Sequence, residues 1–255
     1  MFSKLFSKLQ RVGQSFMIPI AVLPVAGLLM GIGQSFTNET MIQTYHLQFI
    51  LGKGTPLYAL FTIMCSAGKI VFDNLPALFA VGIAMGMAKH EKATAAFSAL
   101  VSFLVMHASI NALLTINGFI VDGKVADFVR LGTINTICGI QSLDTGVFGG
   151  IVVGLGVAYL HNRFYMTRLP DYLSFFAGTR FVPVICCVTF VFVGILFFYI
   201  WPPIQEAIYH LGVLIRDSSY AGIFVFGFVK RMLIPFGLHL SLIHISEPTR
   251  LRRIS

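Results

Sequence analysis

The sequence predicts an all-α fold, a polytopic bundle of transmembrane helices, from three observations. Apolar residues make up 56% of the 255 residues and charged residues only 11%, whereas a typical soluble domain carries about 25% charged residues. The mean hydropathy is +0.84. The apolar residues are gathered into about six runs of near-membrane length. This composition excludes a disordered chain and a basic nucleic-acid-binding module, so no nucleic-acid partner is expected.

The N-terminal segment, residues 1–13, predicts an amphipathic helix on the cytoplasmic surface of the membrane. Its apolar residues recur at helical spacing and its bases lie opposite them: Phe2, Leu5, Phe6 and Leu9 against Lys4, Lys8 and Arg11. A frayed start to the first span is the alternative. That span is predicted at 16–33, and it is expected to be retained because no small-residue cleavage pattern follows it.

The remaining apolar runs predict five further spans separated by polar loops. The spans are 75–88, 93–115, 146–161, 181–201 and one that begins near residue 220, and the loops are 34–56, 116–145, 162–181 and 204–218. Residues 57–72 are expected to form an interfacial or re-entrant helix, or the first half of the next span. Trp201-Pro202-Pro203 is expected to end the fifth span, with the tryptophan in the interfacial aromatic belt.

The distribution of charge predicts a cytoplasmic N-terminus. With that orientation the inside segments contain eight bases and two acids, and the outside segments contain five bases and seven acids. An excess of Lys and Arg in short inside loops is the usual pattern of helical membrane proteins. The net charge of +8 is therefore interpreted as a signal of orientation.

Polar residues inside the spans have a structural and a functional interpretation. His107 and Asn111 lie on one helix face at i, i+4, and hydrogen bonds between helices are favoured over a role in substrate binding. Asp144 is expected to cap the helix that follows it rather than to act in catalysis. Small residues in that helix predict close helix packing: Gly149, Gly150, Gly154 and Gly156.

The sequence predicts no catalytic set, metal site or cofactor. None of the four cysteines forms a C-x-x-C pair or has zinc-like spacing to histidine, and the adjacent Cys186 and Cys187 are interpreted as small hydrophobic residues. The chain also contains no P-loop, H-E-x-x-H or G-x-S-x-G motif.

The strongest candidate binding site is a broken helix near the end of the chain. Lys230 and Arg231 follow an apolar run, Pro235 and Gly237 then interrupt the helix, and His239 follows. Ionisable residues at membrane depth and broken helices mark substrate sites in many transporters. Arg offers several fixed donors to hydroxyl or phosphate oxygens. The alternative is an ordinary helix end whose cations contact lipid headgroups.

Six stretches of the chain, in this order over residues 8 to about 239, carry a family resemblance. They are LQRVGQSFMIPIAVLPVAGLLMGIG, FDNLPALFAVGIAMGMA, DTGVFGGIVVGLGVAYLHNRFY, RLPDYLSFFAGTRFVPVI, WPPI and KRMLIPFGLH. The sequence resembles the membrane subunit, enzyme IIC, of the bacterial phosphoenolpyruvate-dependent sugar phosphotransferase system, in the glucose/maltose/N-acetylglucosamine superfamily. The 116–145 segment favours the glucose or maltose branch.

The resemblance implies a homodimeric sugar transporter of the bacterial cytoplasmic membrane. Residues 14–218 would form a dimerisation-type half, and residues 219–239 would begin the sugar-binding half. Arg231 and His239 match sugar-site positions, with Lys230 as a further candidate. The sugar would be phosphorylated by a phosphorylated IIB domain, fused or separate, so that the complete protein with IIA and IIB would be a sugar phosphotransferase.

The end of the chain departs from the family pattern. LSLIHISEPTR resembles the conceptual translation of a sequencing adapter, so residues 240–255 are expected to be non-native, and His244 and Glu247 are not site candidates. The family's T-E-P-[LI]-E-F motif is missing, and about ten spans are expected where six are seen, so this chain is predicted to be an incomplete and inactive fragment. Two alternatives stay open: an ion-coupled secondary transporter and a non-transporting membrane scaffold or sensor.

Overall fold

The computed structural model describes residues 2–127, 129–130 and 132–217. Eight α-helices and four short strands are found there. The helices are α1 (Phe2–Thr37), α2 (Glu39–Thr44), α3 (Gln48–Leu51), α4 (Pro56–Asp73), α5 (Leu75–Met87), α6 (Lys92–Ile116), α7 (Gly146–Phe164) and α8 (Phe181–Asp217). The strands are β1 (Ile120–Val121), β2 (Lys124–Val125), β3 (Ile134–Ile137) and β4 (Ile140–Leu143). Two 3₁₀ helices, Asp171–Phe176 and Gly178–Arg180, precede α8.

Five helices in the described part are long and apolar enough to cross a membrane. They are Gln10–Thr37, Pro56–Asp73, Lys92–Ile116, Gly146–Phe164 and Gly178–His210. Leu75–Met87 is apolar but shorter. The predicted all-α class is therefore confirmed, and the predicted sixth span lies outside the described residues.

The chain divides into two compact units. One unit, Met17–Leu75, contains the second part of α1 together with α2, α3 and α4. Here α1 and α4 approach through glycines: a Cβ on Gly33 would lie 2.6 Å from the Phe61 carbonyl oxygen. Phe36 and Phe61 stack with their ring centroids 4.7 Å apart. Small residues thus let the two backbones meet, as is common between membrane helices.

The second unit contains the start of α1 and the described chain from Pro76 onward. Its core lies between α5, α6, α7 and α8, where fully buried side chains meet, among them Phe79, Ile83, Phe103, Met106, Val153, Val157 and Phe190. The predicted glycines of α7 face this core. A Cβ on Gly154 would lie 2.7 Å from Ile83 Cβ, and one on Gly156 would lie 2.9 Å from the Phe190 ring. The prediction of close packing is confirmed at these positions.

Helix boundaries differ from the prediction in four places. Helix α8 continues through Pro202 and Pro203, the predicted end of the fifth span, and through most of the predicted loop 204–218 to Asp217. The predicted surface helix and first span form one helix, α1, which continues through Pro19 and Pro24. The predicted loop 34–56 contains α2 and α3; Asn38 caps α2 by accepting hydrogen bonds from the Thr40 and Met41 amides. The 57–72 run is a helix of its own, since α4 ends at Asp73 and Asn74 separates it from α5.

The 116–145 segment, predicted as a loop, contains two antiparallel hairpins. Ile120 pairs with Val125 in the first, and Ile134 pairs with Leu143 in the second. The turn residues Asp122-Gly123 and Cys138-Gly139 all have positive φ. Tight two-residue hairpin turns need this backbone conformation, and Asp-Gly is a strong sequence signal for them. The prediction of a loop is therefore wrong for these residues, and Asp122-Gly123 is the sequence signal that could have indicated the first hairpin.

Candidate functional site

The predicted sugar-site residues Lys230, Arg231 and His239 lie outside the described residues. Their assignment therefore stays a prediction. The described part contains three polar features of another kind: a network at the base of the β3–β4 hairpin, a cluster around His161, and a shallow cavity in the Met17–Leu75 unit.

The first part of the hairpin network joins α6 to β4. His107 is fully buried, and its Nδ1 atom lies 2.8 Å from the Ser142 hydroxyl. One turn later, the Asn111 amide donates to the Gln141 carbonyl at 2.6 Å. The prediction that these residues act structurally is supported, but their partners belong to a hairpin and not to another helix. The difference arises because residues 134–143 form a sheet whose backbone needs hydrogen-bond donors.

The second part of the network joins the hairpin base to α8. The Trp201 indole N–H donates to the Asp144 carbonyl at 2.8 Å. The Gln205 amide donates to the same carbonyl at 3.0 Å and to the Thr133 carbonyl at 3.2 Å. Trp201 is only 9% exposed, and its position in an interfacial belt stays a prediction. The expectation that it ends the fifth span is wrong, because α8 continues to Asp217. Its indole N–H is satisfied inside the protein, as buried tryptophans usually require.

Asp144 connects this network to α7. Its carboxylate accepts a hydrogen bond from the Gly146 amide, the first of α7, at 3.0 Å. The N-cap position itself is Thr145, which makes no side-chain cap hydrogen bond, so the predicted cap acts from one residue before the N-cap. Its own amide donates to the Thr133 carbonyl at 3.0 Å and closes the hairpin base. Three buried polar atoms nearby have no partner among the described residues: His107 Nε2, Thr145 Oγ1 and Gln205 Oε1. The network is thus a hydrogen-bonded anchor that leaves three buried polar atoms unpaired within the described residues.

The second cluster joins the end of α7 to the turn between α5 and α6. His161 Nε2 donates to the His90 carbonyl at 2.7 Å. Asn162 donates to the Met87 carbonyl at 3.1 Å and accepts from the Lys89 amide at 2.9 Å. The His90 and Tyr165 rings stack with centroids 5.1 Å apart. These contacts fix the basic Lys89–Lys92 turn against α7.

A cavity of about 300 Å³ lies in the Met17–Leu75 unit, lined by Glu39, Ile42, Gln43, Gln48, Gly52, Lys53 and Tyr58. Lys53 forms an ion pair with Glu39. The hydrogen bond and charge of Lys53 lower the pKa of Glu39, and those of Glu39 raise the pKa of Lys53. Both side chains are more than half exposed, so water screens the pair.

Within the described ranges, no group of three or more His, Cys, Asp or Glu residues is placed to bind a metal ion. Cys186 is fully buried in the core, in agreement with its interpretation as a small hydrophobic residue. Cys187, its neighbour, is half-buried.

The stacked apolar helices and the anchored connections between them define a polytopic helical membrane protein. The family model described as phosphotransferase system, EIIC matches residues 13–247. The chain therefore belongs to the phosphotransferase system EIIC family. The match includes Lys230, Arg231 and His239, and it also includes the first eight residues of the tail predicted to be non-native.

A curated relative gives the family match its context. The chain is 41% identical over 240 residues to a protein named PTS system glucose-specific EIICBA component, from Staphylococcus saprophyticus subsp. saprophyticus. The aligned region covers 94% of this chain and 34% of the relative. The chain thus spans about a third of the length of that relative and corresponds to its EIIC part.

Proposed function

We propose that the chain forms the sugar-translocating membrane part of a phosphotransferase system that takes up a glucose- or maltose-type sugar. The observation that carries the proposal is the EIIC family match over residues 13–247. Five helices suited to a membrane fit that role. The glucose-specific name of the relative favours glucose over maltose.

The proposed sugar site is built from Arg231 and His239, with Lys230 beside them. The support is chemical and lies in the sequence: an Arg can donate several hydrogen bonds to sugar hydroxyls, and the Pro235–Gly237 break can expose backbone groups to a polar cavity. Half-helix ends at membrane depth often form the binding sites of transporters.

The proposed partners are a phosphorylated IIB domain, a second copy of this chain and the lipid bilayer. The relative's name joins EIIC with B and A components in one chain, which supports a IIB partner here, fused or separate. The charge distribution supports a cytoplasmic N-terminus, since the inside segments would contain eight bases and two acids. The membrane would be the bacterial cytoplasmic membrane.

Uptake of labelled sugar by cells that express the complete transporter containing residues 1–239 tests this function. The expected result is uptake that requires phosphoenolpyruvate and delivers sugar phosphate. Accumulation of free sugar driven by an ion gradient would show instead a secondary transporter. Absence of both sugar binding and uptake would show a scaffold or sensor.

Substitution of the site residues tests the assignment of the sugar site. Arg231→Ala and His239→Ala, made in the same complete transporter, are each expected to abolish sugar binding. Lys124→Ala is the matched control, because Lys124 is an exposed cation in β2. Binding that survives both site substitutions would remove these residues from the site while leaving the uptake result to stand on its own.

A further inference from the structure

Helix α8 lacks two of its own backbone hydrogen bonds at one point. Pro202 and Pro203 are adjacent inside the helix. Neither residue has an amide proton, so the carbonyls of Phe198 and Tyr199, four residues earlier, lose their helical partners. A helix is expected to bend most easily at such a position.

Side chains before and after the proline pair donate hydrogen bonds to the same carbonyl outside α8. Trp201, just before the pair, and Gln205, just after it, both donate to the Asp144 carbonyl, at 2.8 and 3.0 Å. Gln205 also donates to Thr133. One turn later, the Arg130 guanidinium lies 4.0 Å above the Tyr209 ring. Four contacts made by three residues of α8 therefore tie residues 201–209 to the segment that contains the hairpin.

The two acceptor residues, Thr133 and Asp144, are themselves held in position. Thr133 and Asp144 are hydrogen-bonded to each other at the base of the β3–β4 hairpin. The hairpin is tied to α6 through His107 and Asn111, and the Asp144 carboxylate accepts from the Gly146 amide, the first of α7. The direction of α8 beyond its prolines is thus set by α6 and α7 through side-chain hydrogen bonds.

We propose that Trp201 and Gln205 are positioning residues for sugar translocation, and that they fix the part of α8 from which the chain enters residues 219–239. The inference rests on the proposed function. Alternating access in transporters generally moves one part of the bundle against another part, here called the frame, around the substrate site. Since Arg231 and His239 are proposed to bind the sugar, loosening the frame changes the rate of transport and leaves the affinity for sugar unchanged.

The test is the kinetics of phosphoenolpyruvate-dependent uptake in the complete transporter. Gln205→Leu removes both donated hydrogen bonds at similar side-chain size, and Trp201→Phe removes the indole N–H while keeping a ring. Glu206→Gln is the matched control, because Glu206 is the exposed neighbour of Gln205 and its carboxylate lies 3.9 Å from His210 Nε2 on the same helix. Each variant is compared at equal amounts in the membrane.

The expected result for Gln205→Leu is a maximal rate lowered on the order of tenfold, as the loss of two hydrogen bonds implies, with KM changed less than about twofold. Trp201→Phe is expected to lower the rate less, since it removes one bond. The proposal is overturned if the maximal rate is unchanged, if KM rises instead, or if Glu206→Gln has an equal effect.

The hydrogen bonds of Trp201 and Gln205 to Thr133 and Asp144, here called the clamp, can also be tested without transport, by hydrogen exchange of the purified proteins. In Gln205→Leu, the backbone amides of residues 204–210 are expected to exchange on the order of tenfold faster than in Glu206→Gln, because local opening becomes easier. Equal exchange would overturn the proposed clamp. If the unchanged transporter shows no phosphoenolpyruvate-dependent uptake, the proposed function fails, and the exchange result still decides whether the clamp exists.

Discussion

The glycine at position 154 offers a quantitative test of how closely α5 and α7 pack. In Gly154→Ala the new Cβ would lie 2.7 Å from Ile83 Cβ and 2.8 Å from the Ala80 carbonyl oxygen. Favourable separations between carbon atoms are about 3.5–4.0 Å, so the helices must separate by roughly 1 Å. Ala80 and Ile83 are fully buried, and a backbone carbonyl cannot turn away as a flexible side chain can.

The expected magnitude follows from two opposing terms. Overpacking a core destabilises by about 1–3 kcal/mol, while replacing Gly by Ala in a helix stabilises by about 1 kcal/mol. Gly31→Ala is the matched control, since a Cβ there meets nothing within 4 Å. The propensity term is shared, so the difference between the two variants isolates the overpacking term of about 1–3 kcal/mol.

The measurement is the free energy of unfolding in detergent micelles from a denaturant titration. Gly154→Leu extends the series and is expected to destabilise more than Gly154→Ala, whereas Gly31→Leu should differ little from Gly31→Ala. If Gly154→Ala and Gly31→Ala have the same free energy of unfolding, α5 and α7 do not approach as closely as the structure places them.

Three further substitutions test the anchored connections and the exposed ion pair. Asn162→Ala removes hydrogen bonds to Met87 and Lys89 and is expected to lower the free energy of unfolding by about 1–3 kcal/mol in the same titration. Asp144→Ala removes the hydrogen bond to the Gly146 amide at the start of α7 and is expected to lower it by about 1 kcal/mol, while the Asp144 carbonyl still accepts from Trp201. Lys53→Gln is expected to change the thermal unfolding temperature little at pH 7, because the Lys53–Glu39 pair is exposed. Because the pKa of Glu39 is lowered and that of Lys53 is raised, any difference should vanish as pH falls through the pKa of Glu39 or rises through that of Lys53; a difference that persists in acid would contradict this origin.

The apolar spans and the glycine packing could be predicted because each depends on local pattern. α6 and α7 lie within a few residues of the predicted 93–115 and 146–161. The contact of Asp144 with α7 is also local, since its carboxylate accepts from the first amide of a helix that begins two residues later. In each case the residues that decide the structure are neighbours in the sequence.

The course of α8 through Pro202 and Pro203 could not be predicted by the same reasoning. A proline pair after a tryptophan normally indicates the end of a span. Here the partners that hold the helix beyond the pair, Thr133 and Asp144, lie 72 and 61 residues before Gln205. A contact between residues so far apart in the chain produces no periodic pattern in a single sequence.

Three amide side chains of the long helices share a task that the sequence does not reveal. Asn111, Gln205 and Asn162 each donate to a backbone carbonyl outside their own helix, whereas hydroxyl side chains such as Ser102 and Thr189 donate within their own helix. Irregular backbone that is buried away from water must find donors within the protein. An amide side chain in these helices therefore marks a place where a connection between helices is packed against the bundle. Apolar substitution there should loosen a connection first and helix pairing second, which is the order of events that hydrogen exchange can resolve.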